Sequence, residues 1–243
     1  MNTTPAGLRV EGSPAVCRLL DKHPRVADAK AQTGGAALRW NQNGWERSVW
    51  VGRPEVELKG LVELADNNPL VCADVFSVPG AAATLALIAL GPLASAGLIV
   101  ERPAMMISIE ADEAEVSPYL ESVGWHEGLT VASQEIDFAG AVAATVMCVV
   151  ATPERLGDLD DLYDERFARS FFVRRDETSE WDAALVVGKP HAVFRLQVSP
   201  DAPDSLLRIQ VMADREGKCG AAQVVHAMNV MCGFEESLGL GVL

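Results

Sequence analysis

From Ala81 to Val100 the chain reads AAATLALIALGPLASAGLIV, twenty residues without a charge. A run of that length approaches a membrane span, but Gly91, Pro92 and Gly97 break it into a helix and a strand. Ala81 to Leu90 is then a helix that is apolar nearly all round, which is the signature of burial on most sides. The rest of the chain must build a core around that helix. With 243 residues, 49% of them apolar and 22% charged, it has the length and composition of a folded globule, one large domain or a main domain with a smaller one.

The formal charge is -14, from 34 acidic against 20 basic residues spread along the chain. No basic stripe with interleaved aromatics offsets it, so nucleic acid and anionic membranes are not expected partners. Cys17, Cys72, Cys148, Cys219 and Cys232 are far apart, odd in number and mostly set in apolar runs, which is thiol usage of a reducing compartment. Neither they nor His23, His126, His191 and His226 show metal-ligand spacing, so no metal is expected. Met1 to Gly7 carries no basic region followed by an apolar core, and a cytoplasmic protein without a secretory leader is expected.

Hydrophobic period and turn chemistry predict a helix over Pro14–Leu20 and an extended Arg25–Ala31. Strands at Ala37–Trp40 and Arg47–Val51 flank Asn41-Gln42-Asn43-Gly44, a hairpin signal. A helix is expected over Pro54–Ala65 and a strand over Leu70–Phe76. After the apolar helix come strands at Gly97–Glu101 and Ala104–Glu110, an acidic helix around Asp112–Val123, and strands at Leu129–Ser133 and Ala141–Ala151. Thr152-Pro153 opens a further helix. Strands follow at Phe171–Arg174, Ala183–Val187, His191–Ser199 and Ser205–Ala213, and a last helix at Gly217–Met231 stops at Gly233. The order implies an α/β (α+β) protein, a mixed sheet with helices on one side.

Three segments carry a resemblance. The stretch from Lys218 to Asn229, KCGAAQVVHAMN, with Gly233-Phe234-Glu235-Glu236 and Gly239-Leu240, resembles the last helix and tail of N-acetyl-γ-glutamyl-phosphate reductases. Related aspartate-semialdehyde dehydrogenases share its first half. Val78-Pro79-Gly80-Ala81-Ala82-Ala83-Thr84 resembles the Asn-Pro-Gly-Cys segment and helix that carry the family's nucleophile. Arg18-Leu19-Leu20 with His23-Pro24-Arg25-Val26 resembles the end of its first Rossmann helix. The three occur in the family's order, but only about 50 residues separate Val26 from Pro79, so most of a dinucleotide-binding domain is missing. The resemblance implies a truncated Rossmann-like remnant at 1–78 and a substrate and dimerisation domain at 79–243.

The family's reaction needs a glycine-rich turn for pyrophosphate, a cysteine that forms a thioester, and a histidine acting as acid and base. Gly7 to Pro14 lacks the GxGxxG spacing and sets Glu11 where phosphate would approach, so no cofactor is expected. The nucleophile position is Ala81. Counting back from Ala139-Gly140, the histidine position falls at Ser133, beside Gln134, Glu135 and Asp137.

The reading favoured by these residues is a non-reducing enzyme acting on an activated or modified amino-acid derivative. Glu135, Asp137, His191 and Lys218 are its catalytic candidates, and Ala81, Ser133, Gln134, Lys189, Cys219 and Gln223 line its pocket. The resemblance also implies a homo-oligomer, dimer or tetramer, or a partnership with a related protein. A non-catalytic scaffold or partner subunit is the alternative. A reductase recruiting Cys219 or Cys72 is a third reading.

Overall fold

The computed structural model describes residues 7–65, 67–155 and 157–241. Met1–Ala6, for which no leader is expected, lie outside the described residues. The chain gathers into two compact units, one of Met1–Val78 with Ala221–Leu243 and the other of Pro79–Gly220. The last helix therefore belongs to the first unit, not to a domain running from 79 to 243.

In the first unit, β1 (Leu8–Gly12), α1 (Pro14–Leu20) and β2 (Val26–Ala31) form a start in which the two strands are parallel. Ser13 caps α1 by accepting from Val16 N, and Pro14 stands where a helix needs no amide. β3 (Leu38–Gln42) and β4 (Trp45–Val51) form the expected hairpin. Asn43 and Gly44 turn it at φ 57° and 86°, the pair of left-handed residues that a tight hairpin loop requires. β5 (Val75–Val78) completes a five-stranded sheet in the order β2-β1-β3-β4-β5. Its strands alternate: Val10, Leu38, Trp40 and Val49 are buried, while Arg9, Glu11, Arg39 and Asn41 are exposed. One face is thus packed and the other solvated. α6 (Ala221–Met231) packs on β4 and β5 and against α1 and α2 (Asn67–Val71).

Two expected elements of this unit do not form. Pro54–Ala65 is not an α-helix and contributes only a 3-10 turn at Val62–Leu64. Leu58 and Gly60 pair through their backbones with Ser77 at 3.0 Å, which draws the segment alongside β5. Leu70–Phe76 is not one strand, because Arg47 gathers the carbonyls of Leu70, Val71 and Ala73 and holds that stretch as the end of a helix.

In the second unit the apolar run forms α3 (Ala81–Ser95), buried from Ala82 to Ala94. The helix continues through Gly91 and Pro92 instead of ending at Leu90. Proline in a helix interior costs about 3 kcal/mol, which burial of thirteen consecutive residues outweighs. Around it lie β6 (Ala104–Ile107), α4 (Glu113–Glu121), β7 (Thr130–Ser133), β8 (Ala141–Ala151) and α5 (Gly157–Phe167), followed by β9 (Val173–Arg175), β10 (Ala192–Ser199) and β11 (Asp204–Asp214). They form a mixed sheet in the order β7-β6-β8-β11-β10-β9. α3 packs on β8 and β11, and α4 and α5 pack on α3. The predicted α/β class and mixed sheet are therefore present. Gly97–Glu101 is not a strand, since Ile99 makes a single bridge to Val150. Ala183–Val187 is a 3-10 turn at Ala183–Leu185, capped by Asp182, whose carboxylate accepts from Ala184 N at 2.8 Å.

Candidate functional site

One end of the second sheet brings four strand ends together. β6 ends at Ile107 and β7 at Ser133, side by side, while β8 starts at Ala141 opposite the end of β11 at Asp214. The loops leaving them enclose a groove of about 860 Å³ lined by Ser108, Glu110, Glu135, Ile136, Asp137 and Arg215, among others. Backbone pairing fixes its wall: Gln134 N donates to Ile107 O (2.8 Å) and Ile136 N to Ser108 O (3.2 Å). Ser133 Oγ bonds both ways with Ala111, accepting from its amide and donating to its carbonyl. Asp137 accepts from Ala139 N at 3.0 Å, and Arg215 N donates to Gly140 O at 2.9 Å. Among the described residues, the side chains of Glu110, Glu135 and Arg215 make no hydrogen bond or ion pair, so three carboxylates and one guanidinium are presented to the space.

The structure brings Glu135 and Asp137 together and makes Ser133 and Gln134 part of their support. The other expected residues lie elsewhere. Lys189 does not face the groove; its Nζ donates to Ala184 O and Leu185 O, closing the 3-10 turn. Lys218 is fully buried, its ammonium 5.6 Å from the centre of the Phe172 ring. Cys219 is buried as well, and that burial pushes its thiol up to about 12, leaving almost no thiolate at neutral pH. Ala81 is the first residue of α3 and carries only a methyl group. Gln223 is buried in α6, in the first unit. Ser108, Glu110 and Arg215 went unread because each lies one to three residues past a strand end, where only the register between strands reveals a shared location.

His191 is 8% exposed, and its imidazole is lowered to about 4 by burial first and then by the charges of Arg174 and Lys189. It is therefore neutral in the folded state at ordinary pH, and the lowered value has a consequence for stability. The unfolded chain binds the proton from about pH 6.5 downward while the folded chain resists it to about 4, so stability present above 6.5 is lost as pH falls through that window. Its contribution is on the order of 2–3 kcal/mol. His191→Gln is expected to flatten this limb of a melting-temperature profile between pH 7 and 4. His23, lowered by its own burial, keeps a smaller limb in the variant.

Residues that carry the tail motif have structural work. Asn229 is fully buried; its Oδ1 lies 3.0 Å from His23 Nε2, and its amide donates to Glu236 O and Leu238 O at 3.0 and 2.9 Å. His226 Nε2 is 3.1 Å from Glu236 Oε2, and its Nδ1 is 3.8 Å from Glu63 Oε1. Gly239, at φ 76°, packs so closely on the His23 ring that a Cβ has no room. These contacts fasten the C-terminal tail to the first unit.

The turn from β1 into α1 decides whether a dinucleotide fits. Ser13 N donates to Ala37 O at 2.9 Å, Pro14 has no amide, Val16 N is taken by Ser13 Oγ, and Cys17 N bonds Ser13 O. Only Ala15 retains an amide for a phosphate, whereas a pyrophosphate site needs several converging donors. A Cβ on Gly12 would sit 2.7 Å from Ala37 O, so the loop that leads into β3 lies directly against the start of the turn. Glu11 is not in the turn as expected; it lies within β1 and pairs in register with Lys30 and Arg39. These residues do not fit a nicotinamide dinucleotide.

No family model matches the chain. It is 29% identical over 116 residues to N-acetyl-gamma-glutamyl-phosphate reductase of Cellvibrio japonicus (strain Ueda107), a match covering 47% of this chain. The chain spans about a third of that relative, 33% of its length. Among solved structures it is similar to aspartate semialdehyde dehydrogenase II from Vibrio cholerae, with a TM-score of 0.61 at 12% identity, covering 93% of this chain and 98% of that one. The same enzyme complexed with ASA gives 0.59 at 11% identity, with the same coverage. The fold is thus that of the semialdehyde dehydrogenases, and the resemblance to this family of reductases and dehydrogenases is borne out in sequence over 116 residues and in structure.

Proposed function

We propose that this relative of the N-acetyl-γ-glutamyl-phosphate reductases and semialdehyde dehydrogenases is a non-reducing enzyme that acts, without cofactor, on an activated or modified amino-acid derivative. The observation that carries the reading is the β1–α1 turn, where Ser13 N and Val16 N are committed to Ala37 O and Ser13 Oγ. Hydride transfer has no donor to draw on without a bound nicotinamide, and Ala81 offers no sulfur for a thioester. What the second unit retains is the groove. There Glu135 and Asp137, two residues apart on one ordered wall, supply carboxylates that can take a proton from a ligand and return it. The compartment that suits the five free cysteines is the cytoplasm. Among the described residues, no helix is long and apolar enough to cross a membrane.

A thermal-shift screen tests this reading. N-acylated, phosphorylated and unmodified amino acids, basic as well as acidic, are added to the intact chain. At least one is expected to raise the melting temperature by several degrees, as a ligand well above its Kd must, and Glu135→Gln with Asp137→Asn is expected to abolish the rise. The absence of any shift would count against a working groove.

The scaffold reading draws on one observation. Met106, Met147 and Leu206 are exposed on the face of the second sheet opposite α3, Met106 to 52%. Exposed apolar side chains of this kind suit a partner chain, either a second copy or a related protein. Reductase chemistry through Cys219 is disfavoured by its raised pKa as well as by the turn.

A further inference from the structure

We infer that Arg215 is the carboxylate anchor of the groove and that the groove's ligand is a basic amino acid, a molecule carrying one carboxylate and two ammonium groups. This rests on the groove being the working site, as proposed above. The backbone of Arg215 is held from several sides. Asp214 spends its carboxylate on three amides, accepting from Glu216 N (2.9 Å), Gly217 N (2.7 Å) and Gly188 N (2.9 Å). Arg215 N is tied to Gly140 O. Gly217 and Gly220 have no room for a Cβ, being pressed against the carbonyls of Lys189 and Arg215. The turn is therefore rigid, yet the guanidinium it presents pairs with nothing among the described residues, although three carboxylates share its groove. An unpaired guanidinium carried on a backbone held in this way can give two parallel hydrogen bonds to a planar carboxylate.

Charge then selects the rest of the ligand. Glu110, Glu135 and Asp137 against Arg215 leave an excess of two negative charges, which repels an acyl phosphate and attracts ammonium groups. A neutral zwitterion satisfies Arg215 and one carboxylate. A basic amino acid satisfies Arg215 and two.

Calorimetric titration of the full chain at low salt tests this, with L-lysine as the probe and putrescine and N-acetylglutamate for comparison. Lysine is expected to bind saturably, and Arg215→Met to weaken it about tenfold or more, the loss that follows from removing hydrogen bonds to a charged group. Glu135→Gln is expected to weaken lysine and putrescine alike, while Arg215→Met does not weaken putrescine, which has no carboxylate and is repelled by the guanidinium. The exposed side chain of Arg215 makes misfolding of the variant readily excluded by circular dichroism. Three results would each overturn the inference: no saturable lysine binding, lysine binding unchanged in Arg215→Met, or N-acetylglutamate binding more tightly than lysine. Any of them, with nicotinamide cofactors still unbound, removes the ligand class and leaves the non-reducing reading standing.

Discussion

Arg47→Met is expected to lower the unfolding free energy by about 3–5 kcal/mol, which is large against the 5–15 kcal/mol of a typical domain. Arg47 is 3% exposed, and its guanidinium donates to the carbonyls of Leu70 (3.2 Å), Val71 (2.7 Å), Ala73 (2.9 Å) and Met231 (2.5 Å). Two of these close the end of α2, and Met231 is the last residue of α6, so one cation serves the negative ends of both helices. Its flat face lies 4.1 Å from the centre of the Trp45 ring. Burial pulls its pKa down, but from a level so high that the charge persists. Methionine keeps the apolar stem and leaves the carbonyls without a donor. The check is the midpoint of urea unfolding; a loss below about 1 kcal/mol would mean that solvent reaches those carbonyls.

The second large effect is expected at Asn229. Asn229→Ala removes the three hydrogen bonds of a fully buried side chain at once and takes the partner at 3.0 Å from His23 Nε2, for an expected loss of about 3 kcal/mol. The loss should be local before it is global, because two of those bonds hold the carbonyls of Glu236 and Leu238. Amide exchange is expected to quicken first in residues 234–240, at denaturant concentrations where α3 stays protected. Equal acceleration in both segments would show that the tail is not a separate clasp. Gly239→Ala should act in the same direction through the His23 ring, since it combines a positive φ with a missing space.

Much of the fold was legible because its signals are local. α3 announces itself as an unbroken apolar run, the β3–β4 hairpin by Asn43-Gly44, and β8 and β11 by eleven-residue stretches rich in apolar residues. Two of the elements misread are those in which distant groups capture the backbone: Arg47 turns Leu70–Ala73 away from β structure, and Ser77 pulls Leu58–Gly60 out of a helix. Neither partner lies within the period that a strand or helix pattern samples. The third is local: Asp182 and Lys189 cap both ends of Ala183–Leu185 and wind it into a 3-10 turn that its apolar residues alone do not announce.

The site divides in the same way. Glu135 and Asp137 were found by counting from Ala139-Gly140 along a single connected segment. Arg215 and Glu110 reach the groove from other strands, through pairings that no spacing records. Lys218 and Cys219 attracted notice as members of a motif; both are buried, the lysine with its ammonium 5.6 Å from the Phe172 ring centre. His226 and Asn229, further along the same stretch, fasten the tail.

The central claim concerns the amides at the start of α1, and they can be observed one by one. In a titration of the 15N-labelled chain with NADPH to millimolar concentration, the resonances of Ser13, Ala15 and Val16 are expected not to move, because Ala37 O and Ser13 Oγ already occupy two of the three donors. Saturable shifts of those resonances at micromolar NADPH would contradict the account and restore a reductase.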